Sequence, residues 1–299
     1  MTGDDRHDDD RTGEPSPTTG DTGGAGRPWY RRPRRVVPLA VLLVLLVAGG
    51  AWLAVAWINR GAEEASTRDV IERYRREAGG GAGTSGFLRP ARGVYTYRAS
   101  GTERLSILGT AQQWGPTMPA TLTTGADGCW TLRIDYSTNH WQEEDYCPSG
   151  DRLLDEGGRG YQSFDFGAAK IGDTTVFTCD PPGEVIRVDA RPGESWPQSC
   201  EGRSQANGTT VRSAGTNTFV GIEELVIGGR KVPALHYRQR RTLSGDQTGT
   251  EDTHSWYAVG DAMLLRATHD TTVRSPSPIG EVTYTEQGEF RLTSLRPTS

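Results

Sequence analysis

Apolar and polar residues alternate in three different ways along the chain. Residues 1–30 are polar almost throughout, and Val36–Ile58 runs twenty-three residues without a charge. From about Phe87 to the end, apolar residues recur at every second position. A helix rising about 1.5 Å per residue needs about 20 residues to cross a hydrocarbon core of roughly 30 Å. The middle run therefore predicts one transmembrane helix. Period-two segments at 94–97, 105–107, 130–136, 219–227, 232–237, 254–259, 263–267 and 282–284 predict strands, separated by Gly, Pro, Asn and Asp turns. The expected fold is mainly β, one large domain or two fused halves built of antiparallel meanders.

Residues 62–78 read as a short stalk helix, with Glu72 and Arg76 at i,i+4. Gly79–Gly83 breaks it and acts as a linker. The expected organisation is a disordered acidic tail with a basic juxtamembrane end (1–35), the span (36–58), the stalk and linker (59–86), and a β domain (87–299).

Charge sets the orientation. Arg31, Arg32, Arg34 and Arg35 precede the span, whereas Arg60, Glu63 and Glu64 follow it, so the N-terminus is expected in the cytoplasm and the β domain outside. Trp52 and Trp57, with Trp29 and Tyr30 at the other end, suit the two interfaces. Ala54-Val55-Ala56 mimics a signal-peptidase site, but the apolar run exceeds the usual core of about 7–15 residues, favouring a retained anchor. The tail lacks the apolar residues to offset its ordering entropy, and Asp4, Asp5 and Asp8–Asp10 read as solvated charge rather than metal ligands. A net charge of −5 gives no support for nucleic acid as a partner.

The cysteines are Cys129, Cys147, Cys179 and Cys200, all on the expected outer side. If 130–136 and 140–146 form a hairpin turning at Ser137-Thr138-Asn139, Cys129 and Cys147 face each other across the ladder, close enough to bridge. Trp130, Leu132, Ile134 and Tyr136 then share the core face. The remaining pair, Cys179 and Cys200, closes a Pro-rich polar excursion. An oxidising compartment and the lack of C-x₂-C spacing favour disulfides over a metal site.

The domain repeats motifs in order. Glu103-x-Leu105-x-Ile107-x-Gly109, Met118-Pro119-Ala120, His140-Trp141 and Gly150-Asp151 are matched by Glu223-x-Leu225-x-Ile227-x-Gly229, Val232-Pro233-Ala234, His254-x-Trp256 and Gly260-Asp261. Tandem repeats over 93–178 and 205–295 are one reading, and chance agreement between strand alternations is the other. With Gly-x-Leu-Leu after the tryptophan, this pattern resembles the curved-sheet meanders of the LolA/LolB/LppX-like envelope proteins. It also resembles single-pass membrane proteins of high-GC Gram-positive bacteria. The first resemblance implies a curved sheet or incomplete barrel carrying lipid in its hollow; this chain lacks the lipobox and covering helix of those carriers and transfers no binding residue.

No G-x-S-x-G elbow, S-x-x-K, H-E-x-x-H or P-loop occurs, so no catalytic or cofactor-binding residue is assigned. Gly157–Gly160 reads as a turn rather than a phosphate cradle. Glu143, Glu144 and Asp145 cannot share one strand face and read as an exposed edge, not a glycosidase pair. Asn207-Gly208-Thr209 reads as a turn. Asp252, His254 and His269 are the candidate metal or pH-sensitive residues, because a hairpin turning at Gly260-Asp261 sets Asp252 opposite His269 with His254 diagonal. The expected function is a non-enzymatic, membrane-anchored extracytoplasmic protein binding an envelope protein, polymer or lipid. Lipid or apolar-ligand carriage is the alternative, and an envelope enzyme a third.

Overall fold

The computed structural model describes residues 63, 65, 66, 69, 70, 72, 73 and 76, then 89–298 apart from 109–110, 166–169 and 278–279. The tail, Val36–Ile58 and the Gly-rich linker lie outside the described residues. Among those described, no helix is long and apolar enough to cross a membrane. Within the expected stalk, residues 69, 70, 72, 73 and 76 are helical. Val70 is buried, and Arg73 pairs with Asp135 at 2.7 Å.

The β domain has thirteen strands: β1 Gly93–Leu105, β2 Ala111–Gln113, β3 Thr117–Thr124, β4 Trp130–Ser137, β5 His140–Ser149, β6 Arg152–Asp165, β7 Lys170–Arg187, β8 Ser195–Ser204, β9 Thr210–Ile227, β10 Arg230–Gly245, β11 Thr248–Ala258, β12 Leu264–Ser277 and β13 Gly280–Leu292. From β3 to β13 each strand pairs antiparallel with the next, and β1 lies beside β3. The last strand then returns to the first. β13 pairs with β1 from Tyr97↔Leu292 to Leu105↔Tyr284. The sheet is thus a closed antiparallel barrel of twelve strands with β2 as an extra, not the expected incomplete barrel. Closure satisfies the two edges that an open sheet would leave unpaired.

Registers explain the bridges and correct one turn. Trp130↔Tyr146 pair in β4–β5 as the hairpin argument requires, and the flanking Cys129–Cys147 disulfide has a Cα–Cα distance of 4.2 Å. Cys179 and Cys200 are bridged at 4.1 Å, one step beyond the Thr178↔Glu201 pair of β7–β8. The polar excursion between them is therefore strand on both sides. Gly157 and Gly158 lie inside β6 rather than in a turn. A β-carbon on Gly157 would meet the Phe177 carbonyl oxygen at 2.2 Å, and one on Gly158 the Glu143 oxygen at 2.0 Å. Glycine here permits close strand approach.

Repeat motifs fall on non-equivalent strands. Pro119 and His140 are separated by a whole strand (β3 to β5), whereas Pro233 and His254 lie on consecutive strands, β10 and β11.

Inside the barrel, side chains from different strands pack together. Tyr95, Tyr97, Met118, Leu122, Tyr136, Tyr237 and Phe290 are fully buried. Tyr136 and Phe290 meet edge-on at 5.9 Å, and the Tyr97 hydroxyl donates to the Leu264 carbonyl at 2.6 Å. The hollow implied by the resemblance to lipid carriers is occupied by the protein's own aromatic rings. Satisfying the buried hydroxyl is what allows a tyrosine to serve as core.

Candidate functional site

Polar groups collect in two places, one inside the wall and one outside it. The inner group begins at Glu103, which points inward from β1 and stands directly across the ladder from Glu286 of β13. Like charges so placed repel, and the surrounding residues answer that. The segment between β2 and β3 turns Trp114 into the barrel, where its indole N–H donates to Glu103 Oε1 at 2.8 Å. His140 Nδ1 lies 2.6 Å from the same oxygen. Gln112 and Gln162 each donate to Oε2 at 3.1 Å.

Burial would raise the Glu103 pKa, but the His140 charge and these hydrogen bonds hold it below the usual value. Burial would lower that of His140, and Glu103 raises it on balance. Glu286 is left as the weaker acid, pushed up to about 7 chiefly by burial, against the pull of His140. It accepts the hydroxyl of Tyr284. His269 faces the group with Nδ1 3.8 Å from Glu286, and burial, then the His140 charge, lowers its pKa to about 4. Ligand atoms of Glu103, His140 and Glu286 lie within 4.8 Å of one another and are the residues that could hold a cation. All three already have protein partners, so the cluster also closes on itself as a hydrogen-bonded knot.

Further along the interior, Asp155 accepts from Gln198 at 3.3 Å and lies 3.9 Å from Arg241. Burial pushes Asp155 up to about 6 against the pull of Arg241, and Glu144 up to about 8 with help from Asp155. Glu143 faces the other way and pairs with Arg133 at 3.0 Å and Arg159 at 2.5 Å. The acidic triplet is split by the wall, as strand alternation demands.

The sequence candidates separate likewise. Asp252 stands opposite Asp270, and it is Thr253 that pairs with His269. An extra residue causes this: Tyr257 pairs with Leu264 but Trp256 with Arg266, so Leu265 bulges and the register moves by one. His269 consequently faces inward, while Asp252 and His254 share the outer face with Arg238 and Arg240. Arg238 Nε donates to Asp252 at 2.8 Å, and the Arg238 hydrogen bond comes first in lowering the Asp252 pKa. His254 Nδ1 meets His236 Nε2 at 2.8 Å.

The outer group is organised by one rung. Arg98 of β1 pairs with Arg291 of β13, Arg291 with Arg266 of β12, Arg266 with Trp256 of β11, and Trp256 with His236 of β10. Arg266 lies over the Trp256 ring at 4.5 Å, and that ring stacks on His236 at 4.2 Å. Glu223 receives both the Trp256 N–H, at 2.9 Å, and His236 Nδ1, at 2.6 Å. Beyond a bulge at Val220 the burial of the β9–β10 hairpin inverts: Leu225, Ile227, Val232 and Ala234 are buried, whereas Ile222 is 65% and Val226 52% exposed. The hairpin end lies against the outside of the wall. There Val226 and Gly228 form an open pocket of about 810 Å³ with Arg98, Ser100, Glu289, Arg291 and Leu292.

Sequence reasoning missed both groups. Glu103 was visible only as part of a strand motif, and Arg98 lies far in the chain from Arg266 and Arg291. No family model matches this chain. No curated protein matches it either. Among solved structures it is similar to the hypothetical lipoprotein YmcC of Escherichia coli K12, at 13% identity and a TM-score of 0.33, over 69% of this chain and 85% of that one. A likeness of that size bears no functional weight.

Proposed function

We propose that the protein is a membrane-anchored, extracytoplasmic binding protein of the cell envelope, without enzymatic activity, that engages its partner on the outside of the barrel wall. The observation that carries this reading is the packing of the interior. With Tyr97, Tyr136 and Phe290 packed together and Tyr237 packed on Trp196 and Phe219, all buried inside the barrel, a ligand finds space outside, where the hairpin pocket lies. Two disulfides suit an oxidising compartment, and Val36–Ile58 with its preceding arginines supplies the anchor and orientation. The partner is an envelope protein or polymer. Lipid carriage, the alternative, requires the aromatic core to open.

Native mass spectrometry of secreted residues 59–299 tests this. The stalk residues are kept because Val70 and Arg73 pack on the domain. A mass without adduct, four hydrogens below the reduced value, is expected. A lipid-sized adduct lost on organic extraction would put the carrier reading in its place.

A further inference from the structure

The rung Arg98–Arg291–Arg266 places three guanidinium side chains on adjacent strands of one face. Adjacent strands lie about 4.8 Å apart, so the three cover about 10 Å of the outer wall. Direct opposition of like charges destabilises a sheet, and acids on the neighbouring rungs answer only part of it. Glu289 pairs with Arg266 at 2.5 Å. Among the described residues, Arg98 and Arg291 have no acidic partner, and the buried Nε atoms of Arg291 and Arg266 have no acceptor. Several arginines elsewhere on the wall are paired instead. Arg133, Arg152, Arg187, Arg238 and Arg274 are all paired with carboxylates.

Arg98 and Arg291 line the open pocket, whose far side is the hairpin end, with Val226 exposed and Gly228 offering backbone. Guanidinium groups pair in bidentate fashion with phosphate and carboxylate oxygens. A single inorganic phosphate, roughly 3 Å across, reaches two neighbouring arginines; a chain of phosphates reaches all three.

We propose that this pocket binds the phosphate groups of an extended polyanionic polymer, with Arg98 and Arg291 as direct ligands and Arg266 held ready by Trp256 and Glu289. The inference rests on the outer-wall reading above and adds the ligand chemistry to it. Trp256 fixes the Arg266 side chain by the cation–π contact, and His236 and Glu223 in turn fix the ring. The hairpin supplies the apolar lip along which the polymer backbone lies.

The test uses the full chain in phosphatidylcholine nanodiscs, with linear polyphosphate, inorganic phosphate and phosphatidylglycerol-containing nanodiscs as probes. Polyphosphate is expected to bind at least about tenfold more tightly than inorganic phosphate, and to weaken as salt screens the charges. Arg98→Gln and Arg291→Gln are each expected to weaken polyphosphate binding by about tenfold, the value of one strong charge-assisted contact. Arg274→Gln, on an arginine already paired with Glu281, is expected to leave it unchanged. The Arg98→Gln variant serves even if Arg291→Gln unfolds the barrel, since Arg98 is exposed. Equal affinity in wild type and Arg98→Gln overturns the proposal, because binding then resides elsewhere, for instance on the basic run at 31–35. Loss of polyphosphate binding in phosphatidylglycerol discs would make a lipid headgroup the occupant and overturn the polymer assignment. A negative result with an adduct-free native mass would remove the ligand class and leave outer-wall binding intact.

Discussion

Gly101 and Gly288 face each other across β1 and β13, and their missing side chains make the seat for Trp114. A β-carbon at Gly101 would meet the indole at 2.4 Å, and one at Gly288 would meet it at 2.4 Å and the Gly101 Cα at 2.8 Å. Strand glycines usually weaken a sheet, but here they admit a ring whose N–H holds Glu103 in place. Gly288→Ala is therefore expected to displace Trp114 and lower stability by about 3 kcal/mol, within the range for overpacking a core. Urea unfolding measures this, and a red shift of tryptophan emission should accompany it. An unchanged midpoint would mean that the indole has another place to go.

The strands read from sequence were those with a clean alternation, β4 and β11 among them. β6, β7 and β8 were not, because their inward positions are filled by Gly158, Gly160, Gln162, Asp173, Thr175, Gln198 and Gly202, which lack the apolar signal. These strands are held by their ladders and by the Cys179–Cys200 bridge. Replacing both cysteines by serine should cost about 3 kcal/mol, the amount expected from closing a loop of this size, where the two residues are 21 apart. Chemical denaturation with and without reductant is the check. If reductant does not move the wild-type midpoint, the bridge contributes nothing to the fold. Register also belongs to this scale. The bulged Leu265 sent His269 inward and left Asp252 and His254 outside.

Over the whole molecule, the interior holds more acid than base, and this sets the response to pH. Glu144 and Glu286 keep their protons up to about 8 and about 7, against 4.5 for the free group, and Asp155 up to about 6 against 3.8. A carboxyl with a raised folded pKa contributes stability that is complete below its unfolded pKa and is lost as pH climbs through the folded value. His140, also raised, adds to the loss at the upper end. His269, lowered to about 4 from 6.5, and His254, also lowered, act oppositely and cost stability as pH falls below 6.5. Three acids and His140 outweigh the two lowered histidines, so Tm is expected to fall from about pH 5 to about pH 8. Glu144→Gln should flatten the upper part of that slope. A Tm that rises over this interval would show that the interior carboxyls are ionised in the fold.

Local signals were enough for an all-β domain, for the Cys129–Cys147 pairing and for the core face of β4, because alternation and hairpin register are properties of neighbouring residues. They also predict an anchor at Val36–Ile58, which lies outside the described residues. Closure of the barrel could not be read in the same way, since β1 and β13 stand almost two hundred residues apart and nothing in either strand names the other. The same holds for Glu103 with Glu286, and for the arginine rung. Each brings together residues whose spacing in the chain is unrelated to their spacing on the wall, and only the accumulated registers of twelve strands, bulges included, place them side by side.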